Sequence, residues 1–310
     1  MTLSQVIAPL RGGWSGERRR EAWQGYLCIS PWLIGFLAFA LGPMIASLYY
    51  SLTEYRIIRQ PTFVGLSNYK LAFTGDPLFY ESLARTGLWT VATVPAGIIG
   101  SLIAAVLLHQ GLKGTSIYRT MYFLPSLTPT VAASLLWRWM LHPEAGVVNW
   151  FLSLLGIEGP GWLSSPKWAI WALAMISLWT GIGGGRMVIF LAGLQGIPEE
   201  LYEAAEIDGA GTIQKTWRIT VPLMTPTIFF NLIMGILGSF RSFDMAFLTT
   251  QGGPAYATYF FALHIYYNAF QYYEMGYACM LSWILFILII ILTVLQFGTS
   301  KRWVFYGAER

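Results

Sequence analysis

The stretch QGIPEELYEAAEIDGAGTIQKTWRIT, Gln195 to Thr220, decides how the rest of this chain is read. It gathers Glu199, Glu200, Glu203, Glu206, Asp208, Lys215 and Arg218 between two long apolar runs, in a chain that is only 11% charged. Pro198 suits a first helical position, and Glu199 and Glu200 complement the positive end of a helix dipole, so a helix is predicted from Pro198 to about Ile207. Asp208-Gly209 supplies the stop, with glycine where a helix end turns left-handed. A second short helix follows from about Thr212, carries Trp217 and Ile219, and ends near Pro222. The predicted product is a helix-turn-helix on the membrane face that exposes Glu203 and Glu206 beside the small surface of Ala204 and Ala205. Small residues admit a neighbouring backbone and carboxylates pair with basic groups, which suits a docking lever. By spacing alone, the same residues also read as a well-capped surface helix with no partner.

Outward from this island the chain is a membrane protein, 55% hydrophobic with a mean hydropathy of +0.55. Uncharged windows run from Ala22 to Thr53, Thr86 to Leu112, Thr120 to Trp137, Trp168 to Gly185, Ile219 to Phe240 and Met275 to Ser300. Each is near or above the roughly 18–20 residues that span a bilayer as a helix, so six transmembrane helices are expected in an all-α integral membrane fold. The first window holds Pro31 and Pro43 and meets no small-residue cleavage site, which argues against a removable signal peptide. Arg11, Arg18, Arg19, Arg20, Lys113, Arg119, Lys215, Arg218, Lys301, Arg302 and Arg310 lie on one side of this arrangement, against Arg56, Arg59, Lys70, Arg85 and Lys167 on the other. The excess places both termini and the island in the cytoplasm.

The same assignment divides the chain into a cytoplasmic segment 1–25, a membrane domain 26–300 holding the loop 195–220, and a cytoplasmic tail 301–310. The longest stretch outside the spans, Glu54 to Arg85, is too short for a second soluble domain. Within it, FVGLSNYKLAF reads as a turn followed by an amphipathic piece on the outer surface, and the loop from His142 to Lys167 carries a helix candidate at Val147 to Leu155. The net charge of +4 restates topology, since the basic residues form no stripe of a nucleic-acid site. Cys28 and Cys279 fall within spans, and His109, His142 and His264 have no i, i+4 companion, so neither a disulfide framework nor a metal site is expected. No Walker A run is present, so the chain is expected not to hydrolyse ATP.

Breaks and charges mark where the spans do more than cross. Pro95 and Gly97, Pro125 and Pro129, and the run Gly181, Gly183, Gly184, Gly185 free backbone groups that lipid cannot satisfy. The glycine run reads equally as close helix packing and as the border of a translocation path. Arg138 reads as a snorkelling side chain, whereas Arg186 must face the bundle interior or find a partner outside its own span. Arg241 and Asp244, spaced i, i+3, form either a local ion pair or part of a hydrophilic pocket with Ser239 and Ser242. Such scattered charges do not compose a proton relay, which disfavours the alternative of a stand-alone secondary transporter or channel.

The run EAAEIDGAGTIQKTWRITVP, Glu203 to Pro222, resembles the EAA loop of membrane subunits of binding-protein-dependent ABC importers. That loop reads EAA, three residues, glycine, nine residues and I-x-L-P; Glu203, Ala204, Ala205, Gly209, Ile219 and Pro222 match, and Val221 stands where leucine is usual. FVGLSNY, PEAGVVNWFL, TTQGGPAYAT, IYYNAFQYYEMGYA and FGTSKRWVFY extend the resemblance to the sugar-permease branch, of the maltose-permease-like first-subunit type. The resemblance implies a type I ABC importer permease fold in a bacterial or archaeal inner membrane. Glu203, Ala204, Ala205, Glu206, Asp208, Gly209 and Ala210 then form the coupling segment. It further implies a second permease subunit, two copies of an ATP-binding subunit holding ATP and Mg, and an extracytoplasmic solute-binding protein, with no cofactor on this chain. Substrate-path positions carried over are Leu178, Gly181, Ile182 and Gly185 in the fourth span and Gly238, Ser239 and Ser242 in the fifth, with Asp244 beside them. Where relatives place amide and aromatic side chains, this chain has glycines and serines, so maltose itself is not implied. Arg186 and Arg241 would suit a phosphate or acidic sugar without requiring one.

Overall fold

The computed structural model describes residues 16–110 and 114–305. Arg11, Lys113 and Arg310 of the orientation argument lie outside the described residues, as do most of segment 1–25 and half of the tail 301–310. The first window is helical as α1 (Gly16–Phe36), a π turn at Leu37–Leu41 and α2 (Gly42–Ser51). Pro43 has no amide to offer the preceding turn, and the backbone widens there so that the Gly42 amide reaches the Leu37 carbonyl. A small hairpin follows, with β1 (Thr53–Glu54) antiparallel to β2 (Thr62–Phe63) and Thr53 opposite Phe63. The expected surface piece is α3 (Ser67–Thr74), anchored where Asn68 Nδ2 donates to the Ser51 and Thr53 carbonyls at 2.9 Å each.

The second span is α4 (Pro77–His109), 33 residues long and starting well before the uncharged window. Pro77 occupies its first turn, and Asp76 caps it by accepting from the Leu78 amide at 2.9 Å. At 1.5 Å per residue it is about 50 Å long, more than a bilayer core. After it come α5 (Thr115–Phe123), α6 (Thr130–Met140) and α7 (Val147–Leu154). The fourth window forms α8 (Ala169–Gly181) and α9 (Gly185–Gln195), bent by 48° at the glycines. Next are α10 (Glu200–Ile207), α11 (Thr212–Lys215), a π turn over Thr216–Thr220, α12 (Val221–Leu223) and α13 (Thr225–Phe240), with a 65° bend entering α13. The chain closes through α14 (Asp244–Thr249), α15 (Phe261–Tyr266) and α16 (Met275–Ser300), which is the sixth window residue for residue.

The third window departs from expectation. Pro129 lacks an amide and Thr128 is extended, so Thr120 to Trp137 is split between α5 and α6, joined by a 3₁₀ turn at Leu124–Leu127. Among the described residues three helices are long and apolar enough to cross a membrane, or five when each bent pair counts as one crossing.

Three apolar clusters make the core, and α4 feeds all of them. Phe79 packs with Phe261, Met280 and Leu281; Trp89 with Leu173, Ile176 and Phe260; Val94, Ile98, Ala105 and Leu108 with Met187, Phe190 and Leu194. By contrast, the apolar window of the first span buries nothing within this chain and exposes Trp23, Leu27 and Phe39. A helix apolar all round has lipid or another chain as its surroundings.

The N-terminal end of α4 is clamped by a polar network. Asp76 Oδ2 accepts from Tyr277 Oη at 2.6 Å and from His264 Nε2 at 2.8 Å. Because the carboxylate only accepts, His264 carries its proton on Nε2, leaving Nδ1 to face Tyr259 Oη at 3.2 Å and Asn268 Nδ2 at 3.3 Å. Burial pushes His264 below its ordinary value, against the pull of the Asp76 carboxylate. Desolvation would raise Asp76, but the Tyr277 hydroxyl, His264 and the Leu78 amide together hold it lowered. Both folded values lie below the unfolded ones, so their stabilisation is present above the ordinary His and Asp ranges and is lost as pH falls through the folded values. The melting temperature of the assembled protein should therefore drop as pH is lowered from about 7.5 to about 5, and less so for His264→Gln. An equally steep drop in that variant would remove His264 from this account.

Candidate functional site

The loop between the fourth and fifth spans is built to hold its shape. Glu200 and Glu203 occupy the first turn of α10. The helix begins two residues after Pro198 and ends at Ile207, where Gly209 takes φ +78°. The Gly209 amide reaches the Glu206 carbonyl at 3.0 Å and the Ala210 amide the Ala205 carbonyl at 2.8 Å, the paired bonds of a Schellman cap. Across the turn, Lys215 Nζ pairs with Glu206 Oε1. Tyr202 Oη meets Thr220 Oγ1 at 2.9 Å, tying α10 to the foot of the fifth span. Glu203, Ala204 and Asp208 are exposed, and Ala205 and Ala210 are half-buried. Ile207, Ile213 and Trp217 are exposed around them, at 88%, 78% and 69%, so apolar area accompanies the charge on this face. Exposed aromatic and aliphatic side chains beside carboxylates are the makeup of a protein-docking surface.

About midway along α4 a cleft of about 190 Å³ opens between the bent fourth span and α13. Trp89, Thr93 and Val94 line it from α4, Ser177, Leu178 and Gly181 from α8, and Arg186 from α9. Met234, Gly235, Gly238, Ser239 and Ser242 complete the wall. Thr90 Oγ1 and Ser239 Oγ, 2.9 Å apart, bond α4 to α13 beside it. The glycine run divides into two jobs. A methyl group on Gly183 would collide with the Tyr122 carbonyl, and one on Gly184 would stand 3.0 Å from Ser126 Cβ, so these two allow α5 and the 3₁₀ turn after it to approach. Gly181 and Gly238 face open space and leave the cleft its room.

Five of the positions expected along the path, Leu178, Gly181, Gly238, Ser239 and Ser242, thus meet in one cleft. Three do not. Ile182 turns toward α4, where its Cδ1 would stand 2.7 Å from a methyl group on Gly100. Gly185 is exposed and lies outside the lining. Asp244 borders a separate hollow with Thr130, Val131 and Phe247. The reason is that α13 ends at Phe240, Phe243 leaves the helical path, and Asp244 opens a new helix, so the i, i+3 spacing from Arg241 no longer means one turn. No ion pair joins Arg241 to Asp244 among the described residues. Trp89, Thr93 and Val94 are lining residues that sequence reasoning missed. Their signal was a stripe of hydroxyls at Thr86, Thr90 and Thr93, spaced i, i+4, i+7 on an otherwise apolar span. Among the described residues no three His, Cys, Asp or Glu side chains gather at metal-binding range.

The fold thus combines broken spans around a polar cleft with a charged helix presented at one end. The family model for the binding-protein-dependent transport system inner membrane component matches residues 96–303. The chain is 40% identical over 295 residues to the probable ABC transporter permease protein YesP of Bacillus subtilis, covering 94% of each. It is 33% identical over 289 residues to the trehalose/maltose transport system permease protein MalF of Thermococcus litoralis, covering 91% of this chain and 96% of that one. It is 34% identical over 286 residues to the lactose transport system permease protein LacF of Rhizobium radiobacter, covering 90% and 94%. In fold it is similar to a chain of the crystal structure of a bacterial alginate ABC transporter in complex with alginate pentasaccharide-bound periplasmic protein. The TM-score is 0.82 at 22% identity, over 91% of this chain and 96% of that chain. The chain belongs to the binding-protein-dependent transport system inner membrane components, the permease subunits of ABC importers. It is a multi-pass membrane protein of type I importer permease fold and not an enzyme, ATP hydrolysis residing in a separate subunit.

The two kinds of glycine are separable by substitution. Gly183→Ala should destabilise the assembled protein by about 1–3 kcal/mol, since the clash is with backbone that cannot rotate away. Gly181→Ala should leave the melting temperature within a degree or two while changing transport. Equal thermal behaviour of the two variants would contradict the division.

Proposed function

We propose that this chain passes a sugar or sugar-like solute inward, receiving it from an extracytoplasmic binding protein. It works as one half of a pair with a second permease subunit, on two copies of an ATP-binding subunit that hold ATP and Mg. The trehalose/maltose and lactose systems named for relatives support the sugar class. In this reading α5 and α6 together make the remaining crossing, giving six, with both termini and the island at 195–220 in the cytoplasm. The membrane domain runs over 26–300, with 1–25 and 301–310 as cytoplasmic segments.

One observation carries the mechanism: the exposed helix α10 and the cleft are joined through a single stiff path. Tyr202 fastens α10 to Thr220. Helical backbone then continues from Thr212 to Leu223, turns through 65°, and becomes α13, which lines the cleft. The bend is held where Thr225 Oγ1 donates to the Pro222 carbonyl at 2.7 Å and accepts from the Phe305 amide at 2.8 Å. A push on Glu203, Ala204, Ala205, Glu206, Asp208, Gly209 and Ala210 by a closing ATPase therefore reaches Gly238, Ser239 and Ser242 as rigid-body rocking of the fifth span. Leu178 and Gly181 form the facing wall. Ile182, Gly185 and Asp244 act outside the cleft, as packing and helix-end positions.

Glu203→Ala and Gly209→Ala, each in the reconstituted complex, test the lever. Gly209 has room for a methyl group but not the backbone freedom, so the substitution strains the cap by about 1–2 kcal/mol. Both variants should lose solute uptake at least about tenfold relative to ATP consumed. Wild-type coupling in both would sink the assignment. Uptake by this chain alone, indifferent to ATP and abolished by a protonophore, would favour a secondary transporter.

A further inference from the structure

We infer that Arg186 makes the cleft selective for a sugar acid, a solute whose single anionic group is received by the guanidinium while its hydroxyls meet the serines and threonines around it. This rests on the cleft being part of the solute path.

Arg186 is half-buried within the fourth span and lines the cleft. Among the described residues it has no ion pair or side-chain hydrogen bond, and no Asp or Glu lines the cleft. An unpaired charge at such depth is costly, and side chains of this kind mark solute or ion pathways. Its position in the helix adds to the cost. Arg186 sits in the first turn of α9, where the helix dipole is already positive, so two like-signed contributions converge on one spot. That arrangement disfavours a cation and favours an anion placed between them.

The neighbours are shaped around the guanidinium. A methyl group on Gly97 of α4 would collide with Arg186 Nη1, and one on Gly235 of α13 would stand 3.7 Å from Nη2. Two glycines on facing helices thus leave room for the guanidinium at the wall of the cleft. A neutral sugar would satisfy Thr93, Ser177, Ser239 and Ser242 but leave the charge uncompensated. One guanidinium, with no second cation in the lining, balances one charge, which matches a carboxylate held by two parallel N–H bonds better than a doubly charged phosphate.

The test uses the complete complex purified in detergent without its binding protein, probed with radiolabelled glucuronate and glucose. The wild type should bind glucuronate at least about tenfold more tightly than glucose. Arg186→Gln should abolish that preference by weakening glucuronate binding at least about tenfold more than glucose binding, and Arg186→Lys should keep part of it. A wild type that binds the two alike, or neither, overturns the inference. So does an Arg186→Gln complex that weakens both alike or fails to assemble, since the arginine would then be serving the bundle or the second permease subunit. Gly181→Leu, which fills the cleft, separates the levels. If it abolishes binding while Arg186→Gln retains the charge preference, only the role of Arg186 falls. If it leaves both sugars bound as before, the cleft is not on the path and the broader reading falls with it.

Discussion

Lipid offers no hydrogen bond, so every place where a spanning helix breaks must be enclosed by other protein. In this chain α4 does most of that enclosing. It runs the full depth of the bundle, contributes Phe79, Trp89 and Val94 to three separate apolar clusters, and lies against the breaks of the fourth and fifth spans. Its N-terminal end is fixed by charge-assisted bonds at Asp76, and Thr86 Oγ1 accepts the Phe261 amide at 2.8 Å a little further along. Beside α4 the bent spans keep glycines, hydroxyls and one arginine about a cleft near the middle of that helix.

The same constraint bears on the proposed coupling between the charged loop and the cleft. The fifth span bends by 65° at its foot, and the charged loop precedes the helical segment on the near side of that bend. The loop is held in shape by local chemistry: a left-handed glycine at the turn, a lysine bridging to Glu206, and a tyrosine reaching Thr220. Chain near the C-terminus returns to this foot, where Phe229 packs edge-on against Phe297 and Trp303. In the proposed mechanism, force applied at α10 reaches the cleft through these contacts.

Features governed by near neighbours in the chain were legible from the sequence. The end of α10 at Ile207 and the extent of α16 follow from a glycine, from bounding charges and from an apolar run, all local. The break in the third window was legible from Pro125 and Pro129, whereas its extent, two helices joined by a 3₁₀ turn, was not, because hydropathy averages over a window. Arg241 and Asp244 were misread because i, i+3 spacing brings side chains together only while the helix continues, and α13 stops at Phe240. Tertiary partners were beyond reach: His264 has no acidic companion on its own helix, and its carboxylate lies 188 residues away. The α4 side of the cleft was half legible, as a stripe of threonines whose meaning depended on which helices would face it.

The central claim is that α10 is where an ATP-hydrolysing subunit grips this chain. The most direct measurement places a photo-crosslinking amino acid at Ala204, which is exposed on that helix, and irradiates the assembled transporter in membranes. The account predicts an adduct with the ATP-binding subunit, formed in intact complexes and accompanied by loss of solute uptake. An intact complex that yields adducts only with lipid or with other subunits would contradict it.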